Sequence, residues 1–249
     1  RPGAYVAALL DKPNNNLAVE YCKAIIEQNV EMQPIALPRQ GADHGQALTE
    51  SSHTAFASAS ALRALWAEGG AAALAPYVPE KALKLYKQAE YDGKYTDFAV
   101  MGHCELALLR AACEGQAPFA AVRGVSEGLE HRLENAVRET ASLPALLDAL
   151  TTVRYPRARM RRLAMDAALG YTAQTPALPP YLHLLGALSL PGEAALPLSH
   201  SLARLARENE TCAQMAAAQS RASDLGALCR TKPEPMGGIY RQKIIFLTN

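Results

Sequence analysis

Three short stretches hold residue types whose spacing suits anion chemistry. In Lys12-Pro13-Asn14-Asn15-Asn16 the amides stand at an expected helix start, where free backbone N–H groups and the helix dipole favour a nucleotide phosphate. Asparagine is also an ordinary N-cap, its commoner use there. In Ser58-Ala59-Ser60-Ala61-Leu62-Arg63 two hydroxyls open a second helix, and Arg63 lies one turn in. It would neutralise charge that develops as an α,β-phosphate bond breaks. Ala61 stands where a capping box needs Glu or Gln, which leaves a plain serine N-cap as the other reading.

The third stretch is the densest charge in the chain: Arg154, Arg157, Arg159, Arg161 and Arg162, with no acid between Asp148 and Asp166. On a helix starting at Pro156, the stripe Met160, Leu163, Ala164 and Ala167 faces inward, leaving Arg162 outward and Arg157 and Arg161 on the flank. Such a face suits RNA phosphodiesters, with affinity that falls as salt rises. Tyr155 beside it can stack on an unpaired base. Charge runs are usually solvated faces, but five like charges repel one another, so a polyanionic partner is the more economical reading.

Other polar groups read as structural. No two of the six histidines lie three residues apart, so no HxGH motif is present. His103, in an apolar helix, and His183, on an expected strand, read as packed core residues. Glu127, Glu130 and Glu134 share a helical face on which Arg123 and Arg138 can pair with the outer two. No general acid/base pair emerges.

The elements that must position these groups follow from periodicity. Residues 15–28 form an amphipathic helix with asparagine as N-cap, residues 32–37 a short buried strand, and residues 38–54 a polar loop rich in glycine and histidine, the signature of a mobile segment. A second helix runs from near Ser58 to just before Gly69. That order is one α/β unit, whose sheet would be completed by strands ahead of Arg1. Arg39 follows the short strand, where strand ends of an open sheet face a ligand crevice and a guanidinium can grip phosphate with two hydrogen bonds.

Beyond residue 78 the pattern becomes helix after helix, over 79–89, 95–113, 119–140, 143–152 and 156–170. Gly170 suits a C-cap. Strands are expected at 181–188 and 239–247, with helix over most of 201–228. Length and 49% hydrophobic residues allow a substantial core, and the scarcity of aromatics (6%) favours helix over a β-sandwich. The net charge of +1 means that any nucleic-acid contact must come from local charge. Five cysteines without a CxxC pair point to apolar packing in a reducing compartment, not to disulfides or zinc. No apolar run approaches bilayer length, so a cytoplasmic protein is expected, with no membrane partner and no DNA partner.

In order along the chain, KPNNNLAVEYCKAI (12–25), ASASALR (57–63), RYPRARMRRLAMDAALG (154–170), PPYLHLLG (179–186) and RASDL (221–225) resemble the bacterial tRNA(Met) cytidine acetate ligase family, a branch of the HIGH-motif nucleotidyltransferases. The resemblance implies an α/β plus mainly α fold: residues 1–75 the C-terminal part of a Rossmann-like ATP-binding domain, 76–172 a helical tRNA-binding domain, 173–249 a closing α+β region. It implies that ATP and acetate form acetyl-adenylate, whose acetyl group passes to N4 of the wobble cytidine of elongator tRNA(Met). Asn14, Asn15, Arg39, Ser58, Ser60 and Arg63 become ATP contacts. Arg154, Tyr155, Arg157, Arg159, Arg161 and Arg162 become tRNA contacts. Mg2+ should accompany ATP, although no carboxylate is an evident ligand. The family's HxGH segment is expected ahead of Arg1, so the chain reads as a fragment that holds tRNA without forming acetyl-adenylate. Two alternatives stand beside this: transfer to another small acceptor, and a non-catalytic RNA-binding protein.

Overall fold

The computed structural model describes residues 2–10, 13–37, 57–177, 180, 181, 183, 186–188, 202–242 and 245–247. Its contacts divide the chain into two compact units, residues 1–78 and 79–249.

In the first unit, α1 (Pro2–Leu10) packs on α2 (Pro13–Glu27), and α3 (Ala59–Gly69) runs into a 3-10 turn at Ala71–Leu74. Pro13 opens α2, which suits a residue without an N–H at the first helical position. The asparagines therefore lie inside the helix start, and the expectation of an asparagine N-cap is corrected. Asn15 instead donates its side-chain N–H to the Leu9 carbonyl (2.8 Å), fastening α2 to α1. The strand expected over 32–37 does not form: the segment has no helix or strand, and Ile35 and Leu37 are 81% and 88% exposed. A strand needs a paired neighbour to satisfy its backbone, and no described residue supplies one. The loop 38–54, with Arg39, lies outside the described residues.

The second unit begins with α4 (Glu80–Tyr91), α5 (Phe98–Ala112), α6 (Leu129–Glu139), α7 (Leu143–Leu150) and α8 (Arg157–Ala168). The last four surround one core in which Leu109, Leu133, Val137, Leu146, Leu150 and Met160 are fully enclosed. The expected stripe on α8 is the observed one, Met160, Leu163, Ala164 and Ala167. Side-chain caps set several starts: Asp97 accepts from the Ala99 and Val100 N–H groups, and Ser142 from Ala145. Gly170, at φ +68°, closes α8 in a Schellman turn, with Tyr171 N–H on the Asp166 carbonyl and Gly170 N–H on Ala167. Gly93 closes α4 the same way.

The helix expected over 119–140 starts ten residues later, at Leu129. Residues 117–128 instead turn repeatedly, with positive φ at Ala117, Gly124, Glu127 and Gly128. Buried Phe119 anchors that turn in the core, and Arg123 makes a two-pronged bond to Asp166 of α8 (3.0 and 3.1 Å). Tertiary contacts hold the segment where periodicity alone suggested helix.

The closing elements are β1 (Gly186–Leu188), α9 (Leu202–Leu205), α10 (Glu210–Leu228), α11 (Gly238–Arg241) and β2 (Ile245–Leu247). The two strands are shorter than expected and parallel, Gly186 opposite Ile245. A parallel pair needs a long crossover, here supplied by the three helices between them. His183 lies outside any strand and is half-buried. Helix α10 packs on α5, and Arg221 and Asp224 of the RASDL stretch have structural partners. Arg221 donates to the Leu169 carbonyl (3.0 Å) at the end of α8, and Asp224 accepts from Ser220 and the Gly237 N–H. Tyr171 lies between Arg123 and Arg221 and donates its hydroxyl to Ala218 (2.7 Å).

Candidate functional site

In the first unit the nucleotide-type motifs sit on two helices. Asn14 is exposed in the first turn of α2, where backbone N–H groups have no intrahelical acceptor. Ser58 is buried and caps α3, accepting from the Ala61 N–H (3.2 Å) and sharing a hydrogen bond with Ser60 (3.1 Å). The plain N-cap reading of Ser58 is thus realised. Ser60, on the first turn of α3, and Arg63, one turn in, are exposed, and Arg63 makes no hydrogen bond or ion pair among the described residues. No side-chain bond joins Asn14 or Asn15 to Ser58, Ser60 or Arg63 among those residues.

In the second unit the arginine run folds into a face with its own counter-charges. Arg154 pairs with Glu127, and Arg157 with Asp148. All four side chains are about half exposed or more, where ion pairs contribute about 0–1 kcal/mol. Arg154 and Arg159 lie over the Tyr155 ring at 5.7 and 5.1 Å, and the Tyr155 hydroxyl donates to Glu127 (3.3 Å). Arg161 and Arg162 are exposed and make no hydrogen bond or close ion pair among the described residues. The acidic helical face is corrected in one part: Arg138 does pair with Glu134 (2.8 Å), but Glu127 precedes α6 in a left-handed conformation and Arg123 goes to Asp166.

Two groups stand out, one that the sequence reading passed over and one that it placed in the core. Glu105 is 2% exposed on α5, and its Oε1 has no hydrogen-bond partner. Burial pushes its carboxyl up to about 7, against a smaller opposing pull from Arg161. At neutral pH Glu105 is only partly ionised, so it offsets only part of the Arg161 charge. The available signal was an acid in register with Leu106 and Leu109 of an apolar stripe. His103, expected in the core, is exposed, with Nδ1 2.9 Å from the Ala99 carbonyl. It helps line a cavity of about 720 Å³ between α5, α7 and α8, with Arg157 and Arg161 on its α8 side.

Among the described residues no group of three His, Cys, Asp or Glu could hold a metal. No described helix is long and apolar enough to cross a membrane. All five cysteines are free, three of them buried, and burial pushes Cys229 up to about 11, as inert packing requires.

Residues 3–234 match the model of the HIGH nucleotidyl transferase family. A tRNA(Met) cytidine acetate ligase of Listeria monocytogenes is 31% identical over 183 residues, covering 72% of this chain and 44% of the relative. Its namesake from Bacillus velezensis is 26% identical over 196 residues, covering 75% and 46%. The chain thus spans less than half the length of these curated relatives. Two crystal structures of Thermotoga maritima TmcAL, one apo and one bound with alpha-thio ATP, share the fold at TM-scores of 0.79 and 0.77. Both are 20% identical and cover 96% of this chain, and 62% and 61% of theirs.

Proposed function

The chain belongs to the HIGH nucleotidyl transferase family, and from that premise we propose that it is the RNA-holding part, with some of the ATP contacts, of a tRNA-modifying ligase. The reaction is acetylation of N4 of the wobble cytidine of elongator tRNA(Met), through acetyl-adenylate made from acetate and ATP. Supporting it are the names of the relatives and the nucleotide analogue bound by the structural neighbour.

The observation that carries the RNA assignment is α8. Its buried stripe fixes the helix in the core, and Arg161 and Arg162 stand exposed without a hydrogen bond or close ion pair among the described residues. Arg154 and Arg157 can exchange exposed carboxylates for phosphates at little cost. Arg159 and Arg154 hold Tyr155 between the helix and the 117–128 turn. In the first unit the reading takes Asn14, Ser60, Arg63 and the first-turn N–H groups of α2 and α3 as phosphate contacts, each at a helix start that favours an anion; Asn15, Ser58 and Arg39 complete the proposed ATP set, Asn15 and Ser58 by holding the helix starts in place. The described residues offer no metal cluster, so magnesium would arrive on the phosphates, and no step is assigned to it. The organisation that goes with this reading is ATP-binding residues 1–75, a tRNA-binding helical domain 76–172 and a closing region 173–249.

The experiment is salt-dependent binding of elongator tRNA(Met), beside a variant with Arg157, Arg161 and Arg162 changed to alanine. Loss of affinity, with a salt slope shallower by about one per phosphate contact removed, is the expected result. Equal binding by both proteins would make α8 a solvated face and remove the RNA assignment. Because residues 1–249 hold no histidine pair at the HxGH spacing, they are expected to bind tRNA without releasing pyrophosphate from ATP and acetate. Acetate-dependent pyrophosphate release by these residues would contradict that part.

A further inference from the structure

The cavity between α5, α7 and α8 adjoins the arginine face and shares Arg157 and Arg161 with it. Its volume, about 720 Å³, falls in the range of pockets that hold small organic molecules. Its lining is of two kinds. Phe98, Leu143 and Pro144 give an apolar wall, and Phe98 is 66% exposed at the start of α5. An aromatic ring left in water beside guanidinium groups is the arrangement that single-stranded nucleic acid uses, bases on the ring and backbone on the cations. Arg157 and Arg161 supply those cations one turn apart on α8. Only an exposed surface pair with Asp148 occupies Arg157, and the acid that acts on Arg161, Glu105, is buried, with its carboxyl raised to about 7 and so only partly charged at neutral pH.

Resting on the RNA reading above, we propose that this cavity receives one unpaired nucleotide of the RNA, its base against Phe98 and Pro144 and its phosphate on Arg157 and Arg161. His103 adds selectivity. Its Nδ1–H donates to the Ala99 carbonyl, which leaves Nε2 of the neutral ring an acceptor for a base amino group. A duplex cannot use the cavity, because its bases are stacked and paired; a loop or bulge can.

The test compares two RNAs of equal length, a stem–loop and a fully paired duplex, on the full chain and on two variants. Ala99→Phe and Ala158→Phe each place a ring in the cavity from a different helix and keep both arginines; far-UV CD and a melting curve check their folding. The full chain is expected to prefer the stem–loop by about tenfold or more, the effect of one stacked base, and both variants to lose that preference. Equal salt-dependent binding of both RNAs by the unaltered chain, or a preference that survives in the folded variants, overturns the cavity and leaves the arginine face standing. Binding of neither RNA in a salt-dependent way overturns both.

Discussion

Changing Glu105 to Gln should make the second unit more stable in alkali and flatten its pH dependence. The Glu105 carboxyl lies in the α5–α8 interface with an unpartnered Oε1, and burial raises it from 4.5 to about 7. The folded protein therefore binds this proton more tightly than the unfolded chain does. Stability falls as pH rises past the unfolded value and through the folded one, and the penalty is complete above pH 7. At 1.36 kcal/mol per pKa unit the penalty is about 3 kcal/mol as an upper figure, since solvent reaching the site would lower it. Gln keeps the shape and removes the charge. Urea unfolding followed by CD should therefore give similar stabilities for both proteins near about pH 5, and a more stable variant near about pH 8. A second variant, Arg161→Met, removes the opposing pull, so its stability should begin to fall at the same pH as the unaltered chain's, where the unfolded carboxyl titrates, but the descent should continue to higher pH and end deeper. If the unaltered protein shows no fall between those pH values, or Glu105→Gln falls in parallel with it, the carboxyl is not held protonated by burial and the account is wrong.

Three further substitutions probe how the site is positioned. Gly93 has φ +67°, and a Cβ there would meet the Lys232 side chain at 2.5–2.9 Å; Gly93→Ala should cost about 1–2 kcal/mol or more by chemical denaturation. Asn209 caps α10 through the Cys212 N–H (2.9 Å), and Asn209→Ala should lower stability by about 1 kcal/mol, read as a drop in melting temperature. Asp166→Asn removes one side of the two-pronged bond from Arg123 (3.0 and 3.1 Å). With Arg123 partly exposed, the expected cost is about 1 kcal/mol, with amide exchange in the 117–128 turn rising more than in α6. Uniform exchange across both segments would show that the pair does not hold the turn.

The sequence was legible where structure is local. Four of the five helices expected between residues 79 and 170 occur within a few residues of their bounds, and the inward stripe of α8 is the one read from a 3.6-residue period. It was illegible where pairing is distant. Residues 117–128 have helical composition, yet buried Phe119 and the Arg123–Asp166 bond hold them in turns. Residues 32–37 have strand composition, yet no described neighbour pairs with them. Glu105 was missed because the charge state of a carboxyl depends on what surrounds it, which no single helix shows.

The arginine face is the sharpest case, because there a correct local observation gave an incomplete inference. Five arginines without an acid between Asp148 and Asp166 read as unrelieved repulsion that only an outside polyanion would relieve. The fold brings Glu127 to Arg154 from 27 residues away, and Asp148 to Arg157 from just outside the charge run. Repulsion therefore does not by itself require a partner. What favours a polyanion is narrower: Arg161 and Arg162 remain exposed on a helix whose other side is locked in the core, the acid acting on Arg161 is kept partly protonated by burial, and the pairs holding Arg154 and Arg157 are weak enough to be exchanged. Arg161 and Arg162 should then contribute more to the salt slope of RNA binding than Arg154 and Arg157, whose own acids offset part of their charge, so that they neutralise phosphates and release the RNA's counterions less fully. An equal contribution from all four would mean that the internal pairs do not persist in solution.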